Sequence, residues 1–75
     1  MILSIEYCNS WNYLPRASRM AADLLDKFGT NISKLTLVPS SGGVYEVMKN
    51  DEIIFSKKEL NRFPELEEII TLIES

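Results

Sequence analysis

Cys8 and Trp11 are the only cysteine and the only tryptophan of this chain, and they stand three positions apart in "YCNSW". Cys8 follows a short apolar run and precedes a helix-like run. That is the place where a Cys-x-x-Cys redox site sits. The N–H groups and dipole of a helix start favour a thiolate there. A second sulfur three positions on resolves a mixed disulfide by intramolecular attack. Here Trp11 holds the second position, and an indole cannot make that attack. An internal disulfide is excluded, and dithiol turnover with it. The chain has no histidine to act as a base. Arg16 and Arg19 stand further along, so activation of Cys8 rests on the helix terminus. The alternative is a cysteine packed as a small hydrophobe, as free cysteines commonly are.

Composition bounds the rest. With 75 residues the chain is one domain, 1–75, of a size at which a single core is marginal. No disulfide can staple it, and no zinc site is available without histidine. Stability must come from apolar burial, for which 45% hydrophobic content suffices. A net charge of −3 and a pI of about 4.8 argue against nucleic acid as the main partner. No apolar run reaches the length of a membrane span. The start "MILSI" lacks a basic leader and a signal-peptide core. These features lead to the expectation of a cytoplasmic protein with a reduced thiol and no membrane partner.

The elements that must position Cys8 follow from periodicity. "ILSIEY" reads as a strand, and its apolar density suggests burial on both faces. "NYLPRASRMAADLLDKFG" reads as a helix beginning near Asn12–Leu14, because Pro15 fits only a first turn. Leu14, Ala17, Ala21, Leu24, Leu25 and Phe28 form its apolar face. Arg19/Asp23 and Asp23/Lys27 are i,i+4 pairs opposite, and Gly29 is the stop. "NISKLTLVP" is a second strand that Pro39 ends. "SSGG" is a loop. "VYEVMK" and "EIIFS" are strands joined at Asn50-Asp51, the chemistry of an antiparallel hairpin. "SKKELNRF" reads as irregular. "PELEEIITLIE" is a closing helix with Pro64 at its first position and Leu66, Ile69, Ile70 and Ile73 buried. The order β-α-β-β-β-α predicts a four-stranded mixed sheet with two helices, an α/β fold. Its first two strands are expected to be parallel with a right-handed crossover. This is a minimal thioredoxin-like arrangement.

The ordered segments "IEYC", "NYLPRASRMAADLL", "LVPSSGGVYEV" and "IIFSKKELNRFPELEEI" resemble the selenoprotein W-like, or Rdx, family over nearly the whole chain. The resemblance implies a thioredoxin-like fold and thiol or selenol redox chemistry, linked to glutathione or to protein thiol partners. By position, Cys8 matches the first motif cysteine. Trp11 falls where the family carries selenocysteine or a second cysteine. What remains to Cys8 is monothiol chemistry, with glutathione as co-substrate and no bound cofactor.

Three readings of Trp11 stay open. It is a loss of the resolving group. It is a docking residue beside Tyr13, on a former active-site surface that includes Asn9, Ser10 and Pro39, since Trp and Tyr are enriched at binding hot spots. Or its codon is UGA, which specifies selenocysteine in some contexts and tryptophan in some genetic codes; a native UGG excludes that. Pro39 is a candidate for the proline loop that faces the redox turn in thioredoxin-like folds. Other features are weaker. "PSSGG" lacks a phosphate-binding fingerprint. Glu65, Glu67 and Glu68 suit a helix start better than a metal. Ser10 lacks a histidine for nucleophilic work.

Overall fold

Seven residues, Ile2–Cys8, form the first strand (β1), and their alternation sets the architecture. Leu3, Ile5 and Tyr7 are buried, whereas Ile2 is 49% exposed and Ser4 and Glu6 are half-buried. The expectation of a strand buried on both faces is therefore corrected. Serine and glutamate alternate with the core residues because only one face of the sheet is covered. The computed structural model describes all residues, 1–75.

After β1 come a helix α1 (Leu14–Phe28), a 3₁₀ turn (Gly29–Asn31) and strands β2 (Lys34–Ser40), β3 (Tyr45–Lys49) and β4 (Glu52–Ser56). A one-turn helix α2 (Lys57–Leu60) and the closing helix α3 (Leu66–Glu74) complete the chain. The four strands lie in the order β2-β1-β3-β4. β1 runs parallel to β2 and antiparallel to β3, and β3 pairs antiparallel with β4. This is the mixed α/β sheet expected, in thioredoxin-like order. α1 packs on β1 and β2, α3 packs on β4, and the two helices touch each other, so both cover the same face. No helix is long and apolar enough to cross a membrane.

Several local expectations are met by their physical causes. Gly29 takes φ 54° and its N–H caps Leu25, ending α1. Asn50 and Asp51 take φ 49° and 72°, the two positive values a tight primed hairpin turn requires. Asn50 also docks that turn on β1. Its N–H donates to the Ile2 carbonyl, and its Oδ1 accepts from the Ile2 N–H, both at 2.9 Å.

Others are corrected. α1 buries Ala17, Met20, Ala21 and Leu24, while Leu14 and Leu25 are 40% and 45% exposed. The two alanines let the helix sit close on the sheet, which narrows the buried stripe and leaves the flanking leucines at its rim. Arg19 pairs with Asp23 at 3.3 Å, but the second expected pair, with Lys27, does not form. Pro39 does not end β2, which continues to Ser40. β2 is an edge strand, where a residue without an N–H is tolerated. Lys57–Leu60 is helical rather than irregular, and it stops at Asn61, which takes the left-handed conformation at φ 58°.

α3 begins at Leu66, not at Pro64, because Glu65 is its N-cap and forms a reciprocal capping box with Glu68. Glu68 also accepts two hydrogen bonds from Arg62, at 2.8 and 2.7 Å. The Arg62 guanidinium holds the Glu68 carboxyl below its ordinary range. That contribution to stability is present above the ordinary carboxylate range and is lost as pH falls through the lowered value.

Leu24 is fully buried within the 14-residue core cluster. Leu24→Ala is expected to cost about 2–5 kcal/mol. For a chain this short that is a large share of total stability. A chemical-denaturation midpoint unchanged from the parent would refute this view of the core.

Candidate functional site

Parallel pairing brings the site together. β1 and β2 end at the same edge of the sheet, with Cys8 in register with Ser40. The loop after β1 and the loop after β2 therefore meet. Asn9 N–H donates to the Ser40 carbonyl at 2.9 Å, and Cys8 N–H donates to the Val44 carbonyl at 2.9 Å. The turn back into α1 is tight. Asn12 N–H reaches the Asn9 carbonyl at 3.1 Å, Tyr13 N–H reaches the Cys8 carbonyl at 3.1 Å, and Asn12 takes φ 60° to allow it.

Cys8 is fully buried, yet it is not part of the hydrophobic core cluster. Alternation places it on the opposite side of β1 from Tyr7. Burial pushes the thiol up, but the Ser10 hydroxyl and the backbone N–H groups of Gly43, Trp11 and Ser10 outweigh it, and the thiol lies below its ordinary value. The Cys8 Sγ–Ser10 Oγ distance is 3.4 Å. Donors aimed at one sulfur favour its thiolate, the reactive form. Arg16 and Arg19 take no part in this shift.

Trp11 is 61% exposed and lies against Gly43. A Cβ at Gly43 would stand 2.6 Å from the indole Cζ3, so no larger residue fits there as the ring now lies. Gly43 also takes φ 73°, which L residues rarely adopt. The residue is thus fixed twice, and its N–H serves the sulfur. Sequence reasoning passed it over as loop glycine. The signal was there: a glycine pair placed just beyond the strand that must run parallel to β1.

The remaining expected residues divide. Ser10 touches the thiol, while Asn9 and Ser10 are exposed beside it. Tyr13 is half-buried, with its ring 6.2 Å from Trp11 and 4.8 Å from Phe63, both edge-on. Pro39 is exposed in β2 opposite Tyr7, with a trans peptide bond. From the loop after β2, the group that hydrogen-bonds the sulfur is the Gly43 N–H, not Pro39. Nowhere do three His, Cys, Asp or Glu side chains gather as a metal site.

The Rdx family model matches residues 2–75. The chain belongs to the Rdx family. Solved structures agree. A protein of Bordetella parapertussis is 30% identical with a TM-score of 0.94, the match covering 97% of this chain and 92% of that one. A selenoprotein W-related protein from Vibrio cholerae is 27% identical with a TM-score of 0.94, covering 97% and 91%. No curated protein is similar enough to match. Membership points to a thiol redox role, and Cys8 is the one thiol available for it.

Because the donors favour the thiolate, alkylation of Cys8 is expected to rise with pH through a midpoint below that of an ordinary thiol. Ser10→Ala removes the side-chain donor and moves that midpoint upward. Thiolate absorbance against pH measures both. Identical midpoints in the parent and Ser10→Ala would refute the role given to Ser10.

Proposed function

We propose that this Rdx-family chain is a monothiol redox protein. Cys8 is its reacting group and glutathione is its resolving co-substrate, because Trp11 stands where a second redox residue would resolve the disulfide. The observation that carries the reading is the set of donors converging on a sulfur that is buried outside the core. A structural cysteine in an apolar core has its thiolate disfavoured; this one has it favoured.

In the first step the Cys8 thiolate attacks the glutathione sulfur of a glutathionylated protein. The Cys8–glutathione disulfide forms, and the protein thiolate leaves. In the second, a glutathione thiolate attacks the glutathione sulfur of that mixed disulfide. Oxidised glutathione forms and the Cys8 thiolate is released. Oxidised glutathione offered alone carries out the first exchange only, leaving one glutathione on Cys8 and releasing the other as thiolate. The sulfur is fully buried, so it must be uncovered before in-line attack.

A second reading, a redox-inactive docking domain, draws support from the exposed Trp11 stacked edge-on to Tyr13. Oxidised glutathione separates the two. The redox reading expects one glutathione on the parent chain by intact mass, reversed by reductant, and none on Cys8→Ser. A parent thiol that stays unmodified under conditions that modify free cysteine would leave the docking reading standing.

Trp11→Cys tests the second position. A sulfur there lies three residues from Cys8 at the same helix start. It is expected to form an internal disulfide and restore dithiol turnover of a disulfide substrate. If the variant folds with both thiols free after oxidation, the geometry assigned to this turn is wrong.

A further inference from the structure

We propose that an acidic, apolar-bearing segment of a partner protein docks along the aromatic row beside Cys8, where Arg16 in the adjoining groove and Lys57 over the row supply the unpaired positive charge. The row runs Trp11, Tyr13, Phe63, Tyr45, with successive ring centroids 6.2, 4.8 and 5.5 Å apart and all contacts edge-on. It leads from the Cys8 turn into a groove of about 350 Å³ between α1 and the segment entering α3. Its lining includes Arg16, Tyr45, Phe63 and Pro64, together with the mutually paired Arg19 and Asp23.

The charge is the informative part. The chain carries a net −3, yet cations gather here. Arg19 is neutralised by Asp23 and Arg62 by Glu68. Arg16 and Lys57 have no carboxylate partner. Both sit on Phe63, with the Arg16 guanidinium carbon 4.0 Å and the Lys57 Nζ 5.3 Å from its ring centroid. Lys57 is also 5.7 Å from the Tyr13 ring. A guanidinium stacked on a ring keeps its N–H edge free for two-pronged binding of a carboxylate. Near low-dielectric aromatic walls such a contact is stronger than in open water. α1 adds to the field, since its first turn carries no acidic residue.

These features select the occupant. Two unpaired cations are too few for nucleic acid or for an anionic membrane, each of which calls for a broader basic surface. The exposed Trp11 and the half-buried Tyr13 and Phe63, backed by the buried Tyr45, suit an extended polypeptide that places apolar side chains on them and carboxylates beside Arg16 and Lys57. Tryptophan, tyrosine and arginine are also the residue types that anchor protein interfaces. That the bound segment brings its own cysteine over Cys8 rests on the redox reading above; the charge selection does not.

The test uses the full chain and two short thiol-free fluorescent peptides, one of Glu, Leu and Phe, the other identical with Lys for every Glu. Anisotropy titrations at low and physiological salt read their affinities. The acidic peptide is expected to bind roughly ten-fold or more tightly than its basic twin, a difference of about 1.4 kcal/mol or more. Arg16→Gln with Lys57→Gln should abolish the preference. The control pair Lys27→Gln with Lys34→Gln, and Cys8→Ser, should keep it. Equal affinities, absence of binding, or equal losses in the two lysine-bearing pairs would overturn the proposal. So would displacement of the acidic peptide by reduced glutathione, which would assign the groove to the small thiol. Peptide binding that persists while Cys8 fails to take up glutathione upholds the groove and removes the redox reading alone.

Discussion

The parallel pairing of β1 with β2 is the constraint on which the site depends. Parallel strands finish at the same edge, so Ser40 stands beside Cys8 and the loop after β2 closes over the turn after β1. An antiparallel pair would place those loops at opposite ends, and the Gly43 N–H could not reach the sulfur. The crossover helix that parallel pairing demands is α1. Its first turn then lies next to Cys8 through the Tyr13 N–H on the Cys8 carbonyl. The thiol thus receives donors from two loops that are distant in sequence, held by one strand register.

Trp11 and Gly43 form the second level. The Trp11 indole lies on a glycine whose N–H points at the thiol. The contact exists only because residue 43 has no Cβ. The Trp11 side chain is therefore packed against the opposing loop instead of hanging free. The sulfur is fully buried, whereas the tryptophan itself is 61% exposed. The ring covers the loop with one face and offers the other to solvent.

Much of the fold was legible because local chemistry and global packing agree. The hairpin at Asn50-Asp51, the stop at Gly29 and the buried stripe of α3 each rest on a residue type with one structural use. The failures have physical causes. Reading β1 as buried on both faces weighted Ile2, Leu3 and Ile5 and neglected Ser4 and Glu6, whose alternation marks a one-sided sheet. Choosing leucines over Met20 missed that Ala17, Met20, Ala21 and Leu24 already satisfy the three-four spacing. The start of α3 moved because a glutamate capping box outcompeted proline's preference for a first turn. At the site, the placement of Cys8 at the end of the first strand, ahead of α1, was legible because it is local. Gly43 was not, because its role exists only after two loops meet. The coupling of Phe63 to Tyr13 likewise depends on tertiary packing between residues 50 positions apart.

The cations on Phe63 bear on why a net-acidic chain keeps positive charge at this end. Arg16 and Lys57 do nothing for the thiol: neither contributes to its lowered pKa. Nor do they stabilise the fold through ion pairs, since they make none. Cation–aromatic contacts at partly exposed sites are worth only about 0.5–1 kcal/mol each, so stability alone is a weak reason for two on one ring. A thiol pKa lowered by hydrogen bonds instead of by neighbouring cations leaves those cations unspent on chemistry. Charge so placed acts on whatever approaches, and an approaching carboxylate gains more from it than Cys8 does.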